Sequence, residues 1–442
     1  MFNSLPEIEM DTSSIPPKIY ALVDCNNFYV SCERVFDLKA RSKPTVVLSN
    51  NDGCIIARSP EVKAMGVRMA DPVYKWINTL EKNNTSIYSS NFPLYADISD
   101  RVMSILYDFA PEIEQYSIDE AFLNLTNMPI RNYKEYAAKI RQTVLDMTDI
   151  PVSVGIANTK TLAKAANRIG KKFPQFNGIL SFKNAEEAQV DSLLEMLEIE
   201  DVWGIGSKYS SLLKSKGITN AKILKYADLN FIKKYLHIPG VRTVLELKGI
   251  SCIPFMEETN PKKGILSSKS FSSPVDNLES LTEAIANYTA RGAEKLRNQN
   301  SATGKVSVFI RTNHFNAYAS QYSNSYRINL PHPTFDTAEL IYYAIKALKK
   351  IYIKGYRYHK AGVYFDSIIQ QDNIPFDLFG EVTRSSIEKK KALMNCVDRI
   401  NFKWGRDTVF FATQGVKRDW KMKQSKKSPC YTTSIKELLL VK

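Results

Sequence analysis

The sequence predicts an α+β protein that contains two sheets of the same βαββαβ order. Three short apolar runs carry the first sheet: KIYALVDC (18–25), IEQYSIDEAFLNL (113–125) and PVSVGIA (151–157). The middle run is interrupted by a turn at Ser117–Glu120, so it indicates two strands of a hairpin. Helical stretches at 133–147 and 160–172 flank the third run. This sequence of elements is the split βαβ order of a ferredoxin-like sheet.

The same order returns in the second half of the chain. After a polar segment, EETNPKKG (257–264), that is typical of a linker, strands are predicted at 264–272, 305–312, 325–330 and 361–368. Helices are predicted at about 278–298 and at 337–351. Between the two sheets the chain reads as mainly helical from 184 to 250, and residues 36–90 read as an insertion into the first sheet.

Length and charge limit the class of protein. A chain of 442 residues is expected to form about three domains, because domains average about 150 residues. The 60 Lys and Arg against 46 Asp and Glu give a net charge of +14, which favours a polyanionic partner, nucleic acid before membrane. No apolar stretch reaches the roughly 18 residues of a membrane span, and the acidic start does not resemble a signal peptide, so we expect a cytoplasmic protein.

Cysteine and histidine spacing argues against a zinc site or a disulfide framework. The six cysteines form no C-x-x-C pair, so reduced thiols that pack as small apolar residues are the expected state. The four histidines are scattered and show no ligand spacing. A catalytic metal would therefore be held by carboxylates, which favours magnesium or manganese.

Three carboxylates are candidates for that metal site. Asp24 ends the first predicted strand, and Asp119 and Glu120 lie at the turn of the hairpin. In a ferredoxin-like sheet the first strand and the hairpin are neighbours, so these carboxylates can converge and hold two divalent ions about 4 Å apart. The alternative is that they are ordinary acids of surface turns.

Aromatic and basic residues near these acids are candidates for nucleotide binding. Phe28 and Tyr29 follow Asp24, and an aromatic ring there could wall off one side of a nucleotide sugar, although core packing explains the same pattern. Arg58, Lys63 and Lys171 could bind a triphosphate, and a solvated helix face is the alternative.

A glycine pair in the helical segment is a candidate DNA contact. Gly204, Ile205 and Gly206 open a helix that carries Lys208, and glycines there allow backbone N–H groups to approach a phosphate. A helix before and a helix after would make a helix-hairpin-helix, which binds DNA backbone without sequence preference. A tight turn between helices is the alternative.

Several motifs together resemble the UmuC family, the catalytic subunits of the error-prone Y-family DNA polymerase V. The resemblance is carried by DCNNFYVSCE, VVLSNNDGCIIAR, YADISDRVM, YSIDEAF, VGIANTKTLAKAAN, VWGIG and YTTSIKELLLVK, and it runs from about residue 19 to 442. It implies a right-hand polymerase. Its parts would be a palm (19–35 and 91–183), fingers (36–90), a helical thumb with a helix-hairpin-helix (184–256), a βαββαβ little finger (264–370) and a basic C-terminal tail (371–442), after an N-terminal extension (1–18).

The resemblance also implies roles for individual residues. Asp24, Asp119 and Glu120 match the metal-binding carboxylates for two Mg²⁺, with Mn²⁺ as a substitute, and the backbone carbonyl of Cys25 completes the metal shell. Tyr29 matches the steric gate that excludes ribonucleotides, with Phe28 stacked beside it. Arg58, Lys63 and Lys171 fall at or near the positions that contact the triphosphate of a dNTP.

The implied activity is translesion synthesis in the SOS response, with primer-template DNA and dNTP as substrates. The implied partners are a processed UmuD-like dimer, a RecA nucleoprotein filament and the beta sliding clamp, and the chain would associate with the nucleoid when engaged on DNA. Phe376, Leu378 and Phe379 are the candidate clamp-binding peptide, with Pro375 where a Gln is usual. The alternative for Leu378 and Phe379 is an anchor that docks the tail itself.

Two other functions remain open on the residues alone. A nucleotide cyclase uses the same kind of sheet and metal pair, but it needs neither a helix-hairpin-helix nor the net charge of +9 that eleven Lys, four Arg and six acids give residues 381–442. A non-catalytic DNA-binding scaffold would not need all three carboxylates.

Overall fold

The computed structural model describes residues 18–256, 261–316, 318–376 and 383–438. The chain divides into two compact units: unit 1 comprises residues 1–48, 54–259 and 426–442, and unit 2 comprises residues 49–53 and 260–425. The predicted N-terminal extension up to residue 17, and residues 257–260 of the predicted linker, lie outside the described residues.

The described residues form twelve strands. In chain order they are β1 (Tyr20–Cys25), β2 (Thr45–Leu48), β3 (Ile55–Arg58), β4 (Ser86–Ser89), β5 (Glu112–Gln115), β6 (Glu120–Asn124), β7 (Val152–Ala157), β8 (Ile179–Ser181), β9 (Ile265–Val275), β10 (Ser301–Arg311), β11 (Ser323–Thr334) and β12 (Tyr358–Gln370).

The described residues also form fourteen α-helices. They are α1 (Phe28–Phe36), α2 (Leu38–Arg41), α3 (Pro60–Ala64), α4 (Ile77–Lys82), α5 (Phe92–Leu106), α6 (Tyr133–Thr148), α7 (Lys160–Lys172), α8 (Glu187–Glu195), α9 (Ser207–Ser215), α10 (Ala221–Lys225), α11 (Leu229–Leu247), α12 (Leu278–Asn298), α13 (Thr337–Ile351) and α14 (Arg384–Trp404).

The first sheet of unit 1 has the predicted ferredoxin-like order with one strand added. Its order is β5-β6-β1-β7-β8, and all neighbours are antiparallel except β7 and β8. The sequence analysis did not predict β8, which has only three residues and therefore shows too little alternation to be recognised. Because β1 lies between β6 and β7, its side chains meet those of the hairpin.

Helix α7 packs unusually close to this sheet. A Cβ on Gly155 of β7 would lie 2.3 Å from the backbone nitrogen of Asn167, so only glycine allows this approach. The side-chain Nδ2 of Asn167 also donates to the carbonyl of Ser153 at 2.8 Å. These contacts fix α7 over β1 and β7, and with it the lysines of its exposed edge.

A separate three-stranded sheet occupies the predicted insertion. Its order is β3-β2-β4, with β2 antiparallel to β3 and parallel to β4. A small apolar core of its own, which includes Val46, Ile55, Val62 and Leu80, lies beneath it. The helical segment α8–α11 packs instead with α7 and with Tyr20 and Leu22 of β1 in another core.

The second sheet, in unit 2, is a four-stranded antiparallel sheet of order β11-β10-β12-β9. The elements follow the predicted βαββαβ order, but the strand order differs from that of the first sheet, because β9 pairs with β12 at one edge. Helices α12 and α13 pack on this sheet through a continuous apolar core.

The C-terminal region is not the simple tail that the sequence analysis expected. Helix α14 spans 21 residues, and its Asp398 makes a two-pronged ion pair with Arg297 of α12 at 2.6 and 2.7 Å. The residues from Lys426 onward belong to unit 1. High lysine content concealed this structure, since charge alone is also typical of a solvated tail.

The predicted clamp peptide lies mostly outside the described residues. Leu378 and Phe379 are not described, whereas Phe376 is described and is 63% exposed.

No helix in the described ranges combines the length and the apolarity that crossing a membrane requires. The six cysteines form no disulfide with one another, and only Cys25 and Cys32 are buried, so the expectation that most of them pack in the core is wrong.

Candidate active site

Strand β1 and the β5–β6 hairpin bring the predicted carboxylates to one place. Asp24 lies opposite Glu120 in the antiparallel register of β1 and β6. The backbone nitrogen of Cys25 donates to the carbonyl of Asp119 at 2.8 Å, which fixes Asp119 beside the end of β1. The three acids therefore converge although 95 residues separate Asp24 from Asp119.

Lys171 at the end of α7 forms an ion pair with Asp24. Burial raises the pKa of Asp24 to about 6; Lys171 opposes this shift, and the nearby Glu120 and Asp119 add to it. Asp24 thus lies where its negative charge is costly unless a cation compensates for it.

Glu120 is held by Lys164, a residue that the sequence analysis missed. The Nζ of Lys164 lies 2.9 Å from one carboxylate oxygen of Glu120 and 3.1 Å from the other. The same ammonium group lies 4.3 Å from the ring centre of Tyr116 and 5.2 Å from that of Trp203. Because the lysine is fixed on several sides, it positions Glu120 rather than lying on a solvated face.

A cavity of 350 Å³ opens beside these acids. It brings most of the predicted catalytic and nucleotide-binding residues together; its lining includes Asp24, Cys25, Phe28, Tyr29, Arg58, Lys63 and Asp119. Glu120 and Lys171 are not among the lining residues, but both adjoin Asp24: Glu120 lies opposite it in the register of β1 and β6, and Lys171 forms an ion pair with it. Asn27 and Met69 also line the cavity, and the sequence analysis did not single them out.

Among the described residues, Arg58, one of the two cations that line the cavity, lacks hydrogen-bond partners at two of its nitrogens. Nε and Nη1 of Arg58 are buried and have no hydrogen-bond partner within the described part of the chain. Burial lowers the pKa of Arg58, and burial together with Arg58 lowers the pKa of Lys63, which bonds to the Asn27 side chain. Buried donors without an acceptor are costly, so this wall suits an anionic ligand.

Tyr29 also lines the cavity and is fixed by other aromatic rings. Its ring stacks on Tyr95 at 4.5 Å between centres with an angle of 16°, and Phe92 meets it edge-on at 6.0 Å. Phe28 is buried beside Tyr29 in the core, with 5.9 Å between the centres of the two rings. Tyr29 therefore combines packing with exposure to the cavity.

The donors of this site suit a hard divalent cation. Carboxylate oxygens and a main-chain carbonyl are the ligands that magnesium prefers, and burial raises the pKa of the Cys25 thiol, so Cys25 would contribute its carbonyl oxygen and not a thiolate. Throughout the described ranges, no three His, Cys, Asp or Glu side chains form a preformed metal cage. Lys171 and Lys164 now neutralise Asp24 and Glu120, so a bound cation would displace these ammonium groups from the carboxylates.

The glycine pair lies apart from this cavity, before helix α9. Gly204 has φ +90°, in the left-handed region, and Gly206 precedes the helix with nothing within 4 Å of an added Cβ. Ile205 is buried in the core and Lys208 is exposed. The element directly before the pair is a 3-10 turn, Ile199–Asp201, so the first helix of the predicted helix-hairpin-helix is α8, further upstream.

Comparison with known proteins identifies the relatives of this chain. The impB/mucB/samB family matches residues 23–168, and the C-terminal domain of that family matches residues 262–378. A domain of unknown function, DUF4113, matches residues 391–441.

Full-length relatives agree with these matches. Protein UmuC of Salmonella typhimurium is 39% identical over 426 residues, which cover 96% of this chain and all of that protein. Protein SamB of Salmonella typhimurium is 37% identical over 94% of this chain and 97% of its own.

A solved Y-family DNA polymerase chimera built on Dbh shares the fold. It has a TM-score of 0.62 and 24% identity, and the likeness covers 80% of this chain and 99% of the chimera. The predicted α+β fold is thereby confirmed, and the family matches favour a polymerase over the nucleotide cyclase. The chain belongs to the impB/mucB/samB family, the UmuC-like members of the Y-family DNA polymerases.

Proposed function

We propose that this Y-family DNA-directed DNA polymerase extends a primer opposite damaged template at the cavity between Asp24, Asp119, Tyr29 and Arg58. The single observation that carries this assignment is the cavity itself, which brings Asp24 and Asp119 together with Lys63 and with Arg58, whose buried Nε and Nη1 have no hydrogen-bond partner among the described residues. That arrangement suits a nucleotide whose triphosphate is anionic and whose reacting phosphate must lie near metal-binding oxygens.

The residues of the site would have three separate roles: metal binding, triphosphate binding and contact with the sugar. Asp24, Asp119, Glu120 and the Cys25 carbonyl would hold two divalent ions, Mg²⁺ or Mn²⁺, which when bound activate the primer hydroxyl and offset charge on the triphosphate. Arg58 and Lys63 would donate to the triphosphate oxygens, and Lys171 would join them once it leaves Asp24. Tyr29 would lie against the sugar and collide with a 2′-hydroxyl.

The parts of the molecule follow the same assignment. We assign the five-stranded sheet to the palm, the three-stranded sheet to the fingers, α8–α11 to the thumb and the sheet of unit 2 to the little finger. Gly204, Gly206 and Lys208 would contact the backbone of primer-template DNA.

The partners follow from the family and not from the described contacts. They are a processed UmuD-like dimer, a RecA filament and, through Phe376, Leu378 and Phe379, the sliding clamp. We propose a cytoplasmic protein that joins the nucleoid on DNA.

Primer extension on damaged template tests this function. The purified chain with Mg²⁺ should extend a primer past an abasic site, and processed UmuD with activated RecA should increase the yield. Replacement of the three carboxylates that leaves extension unchanged would contradict the proposal. An absence of extension with all partners present would also contradict it.

We expect Tyr29→Ala to raise incorporation of ribonucleotides by about tenfold or more relative to deoxynucleotides, about 1.4 kcal/mol of lost discrimination. The reason is steric, since the phenol ring would no longer meet the 2′-hydroxyl. Single-nucleotide kinetics with dNTP and rNTP measure the ratio. Tyr107→Ala, at an exposed tyrosine outside the cavity, is the matched control and should leave it unchanged. An unchanged ratio in Tyr29→Ala would show that Tyr29 only packs in the core and does not select the sugar.

We expect the affinity for primer-template to fall steeply with salt. In unit 2, burial and the neighbouring cations Arg291, Arg406, Lys295 and Lys421 lower the pKa of Lys269, which marks a strongly positive surface. If about five such cations contact phosphates, affinity falls about 500-fold between roughly 50 and 200 mM salt. Fluorescence anisotropy of labelled duplex measures this, and Lys269→Ala should reduce the slope by about one. A flat response would exclude a charge-based grip.

A further inference from the structure

A short C-terminal segment is connected to the candidate sugar gate, Tyr29, through Glu33 and Tyr95. We call residues 426–431 the return segment, because the chain comes back to unit 1 there. The nitrogen of Ser89 donates to the carbonyl of Lys426 at 2.9 Å, and Lys426 donates from its own nitrogen to the Ser89 hydroxyl, also at 2.9 Å. The segment thus meets the end of β4 in a single parallel bridge, between Ser89 and Lys427.

Side chains hold the return segment more firmly than an edge contact would. The buried Asn91 donates from Nδ2 to the carbonyls of Ser428 and Pro429 at 3.0 and 3.1 Å. The ring of Tyr431 stacks on Phe36 of α1 at 4.8 Å. Ser428 is itself buried, so its hydroxyl lies inside unit 1 rather than on its surface.

That hydroxyl meets a buried carboxylate. Ser428 Oγ donates to Oε1 of Glu33 at 3.1 Å, and the hydroxyl of Tyr95 donates to the same oxygen at 2.6 Å. Glu33 is 1% exposed, and its Oε2 has no hydrogen-bond partner among the described residues. Burial raises the pKa of Glu33 to about 7, against the two hydrogen bonds. Because so few donors reach this carboxylate, each of these hydrogen bonds contributes substantially to holding the carboxylate in position.

Tyr95 connects this carboxylate to the cavity. Its ring is fully buried and stacks on Tyr29, so its position sets the plane on which Tyr29 rests. A side chain that contacts the sugar must be held to within a fraction of an ångström to discriminate against one hydroxyl group. The hydrogen bonds at Glu33 fix the far end of Tyr95, and stacking transmits that position to Tyr29.

We propose that the return segment is a specificity element of the nucleotide site: Ser428, through Glu33 and Tyr95, positions Tyr29 and so sets the preference for deoxyribonucleotides. This inference rests on the proposed role of Tyr29 as the sugar gate. It gives part of the DUF4113 region a function in cis, in which Ser428, Glu33 and Tyr95 are positioning residues that never touch the nucleotide.

The test compares dNTP and rNTP incorporation by the full chain. Ser428→Ala should lower the ratio of kcat/KM for dNTP over rNTP by about two- to tenfold, the range that one hydrogen bond is worth. Most of this change should appear as a lower KM for rNTP, with kcat for dNTP nearly unchanged. Ser425→Ala, three residues earlier and exposed, is the matched control and should leave the ratio as it is.

Two substitutions of Glu33 show whether this residue acts by accepting hydrogen bonds, by its charge or by supporting the fold. Glu33→Gln keeps the Oε1 acceptor and should keep the ratio within about twofold, whereas Glu33→Ala removes it and should lower the ratio at least as much as Ser428→Ala. If Glu33→Ala fails to fold, the result for Ser428→Ala still decides whether the proposal holds. Equal losses for dNTP and rNTP would overturn the proposal, because they would indicate damage to the whole site.

A double-mutant cycle distinguishes this inference from the role of Tyr29. If Ser428 acts through Tyr29, Ser428→Ala should add nothing in a Tyr29→Ala background. If Tyr29→Ala alone leaves the ratio unchanged, the proposed gate fails. If Tyr29→Ala lowers the ratio but Ser428→Ala does not, the gate stands and the return segment is not part of it.

Discussion

Asp119→Asn should lower the rate of primer extension by about two to four orders of magnitude. Asp119 lines the cavity, and its backbone carbonyl already fixes the end of β1, so only the charge of the side chain changes. A neutral amide cannot offset the charge of divalent ions, and that electrostatic contribution is worth several kcal/mol, with each factor of ten equal to about 1.4 kcal/mol. Single-turnover extension with saturating dNTP measures the effect.

Binding measurements complete that experiment. The hydrogen bond from Ser117 Oγ to Asp119, 2.6 Å long, can form equally with an amide oxygen, so DNA affinity and unfolding temperature should change little. Asp108→Asn, an exposed acid on the same unit, is the matched control and should extend at the normal rate. Near-normal extension by Asp119→Asn would exclude this carboxylate from the metal site.

Glu114→Ala should lower the free energy of unfolding of unit 1 by about 3–5 kcal/mol. Glu114 on β5 is 8% exposed and pairs with Lys160, the first residue of α7, which is 1% exposed. The same carboxylate oxygen accepts from the nitrogen of Met256 at 2.7 Å, so the pair joins the sheet, α7 and the segment after α11. Removing the carboxylate leaves a buried ammonium group with the Pro254 carbonyl as its remaining hydrogen-bond acceptor.

Hydrogen exchange of the β1 and β6 amides reports that change for unit 1 alone, which matters because a protein of two units need not unfold in one step. Glu195→Ala, which breaks the exposed pair with Lys222, is the matched control and should cost less than about 1 kcal/mol. Replacing both Glu114 and Lys160 with apolar residues of similar size should restore most of the loss, since the penalty comes from the unpaired charge. A small effect of Glu114→Ala alone would contradict this account.

Local patterns were sufficient to predict the centre of unit 1. The short apolar runs located β1, β5, β6 and β7, and the basic helix was predicted with the bounds that α7 shows. Sheet order then placed Asp24 beside Glu120, because a ferredoxin-like order makes the first strand and the hairpin neighbours. These predictions succeeded because each depends on residues close in sequence or on a common topology.

Contacts between distant residues could not be predicted in this way. Lys164 looked like one more lysine of a solvated helix face, and only the packed structure shows it between Glu120 and two aromatic rings. Glu33 looked like an ordinary helical acid, since nothing near it in sequence indicates that Ser428 will cover it. Helix α14 was missed for a different reason, because the high lysine content of the C-terminal region is also typical of a solvated tail.

The contact between Ser428 and Glu33 would also determine when a new chain completes the proposed nucleotide site. The two residues are 395 positions apart, so at common rates of synthesis Ser428 is made about 20–80 s after Glu33. Once residue 181 has been made, every strand of the five-stranded sheet and every cavity residue is on the growing chain, while the carboxylate of Glu33 still lacks one of its two donors. A chain cut or arrested before Ser428 would therefore carry all the residues of the cavity, but Glu33, which accepts the hydrogen bond of Tyr95, would be held by one contact fewer. In this polymerase the return segment, made late in synthesis, would control how strictly the proposed nucleotide site, made earlier, excludes ribonucleotides.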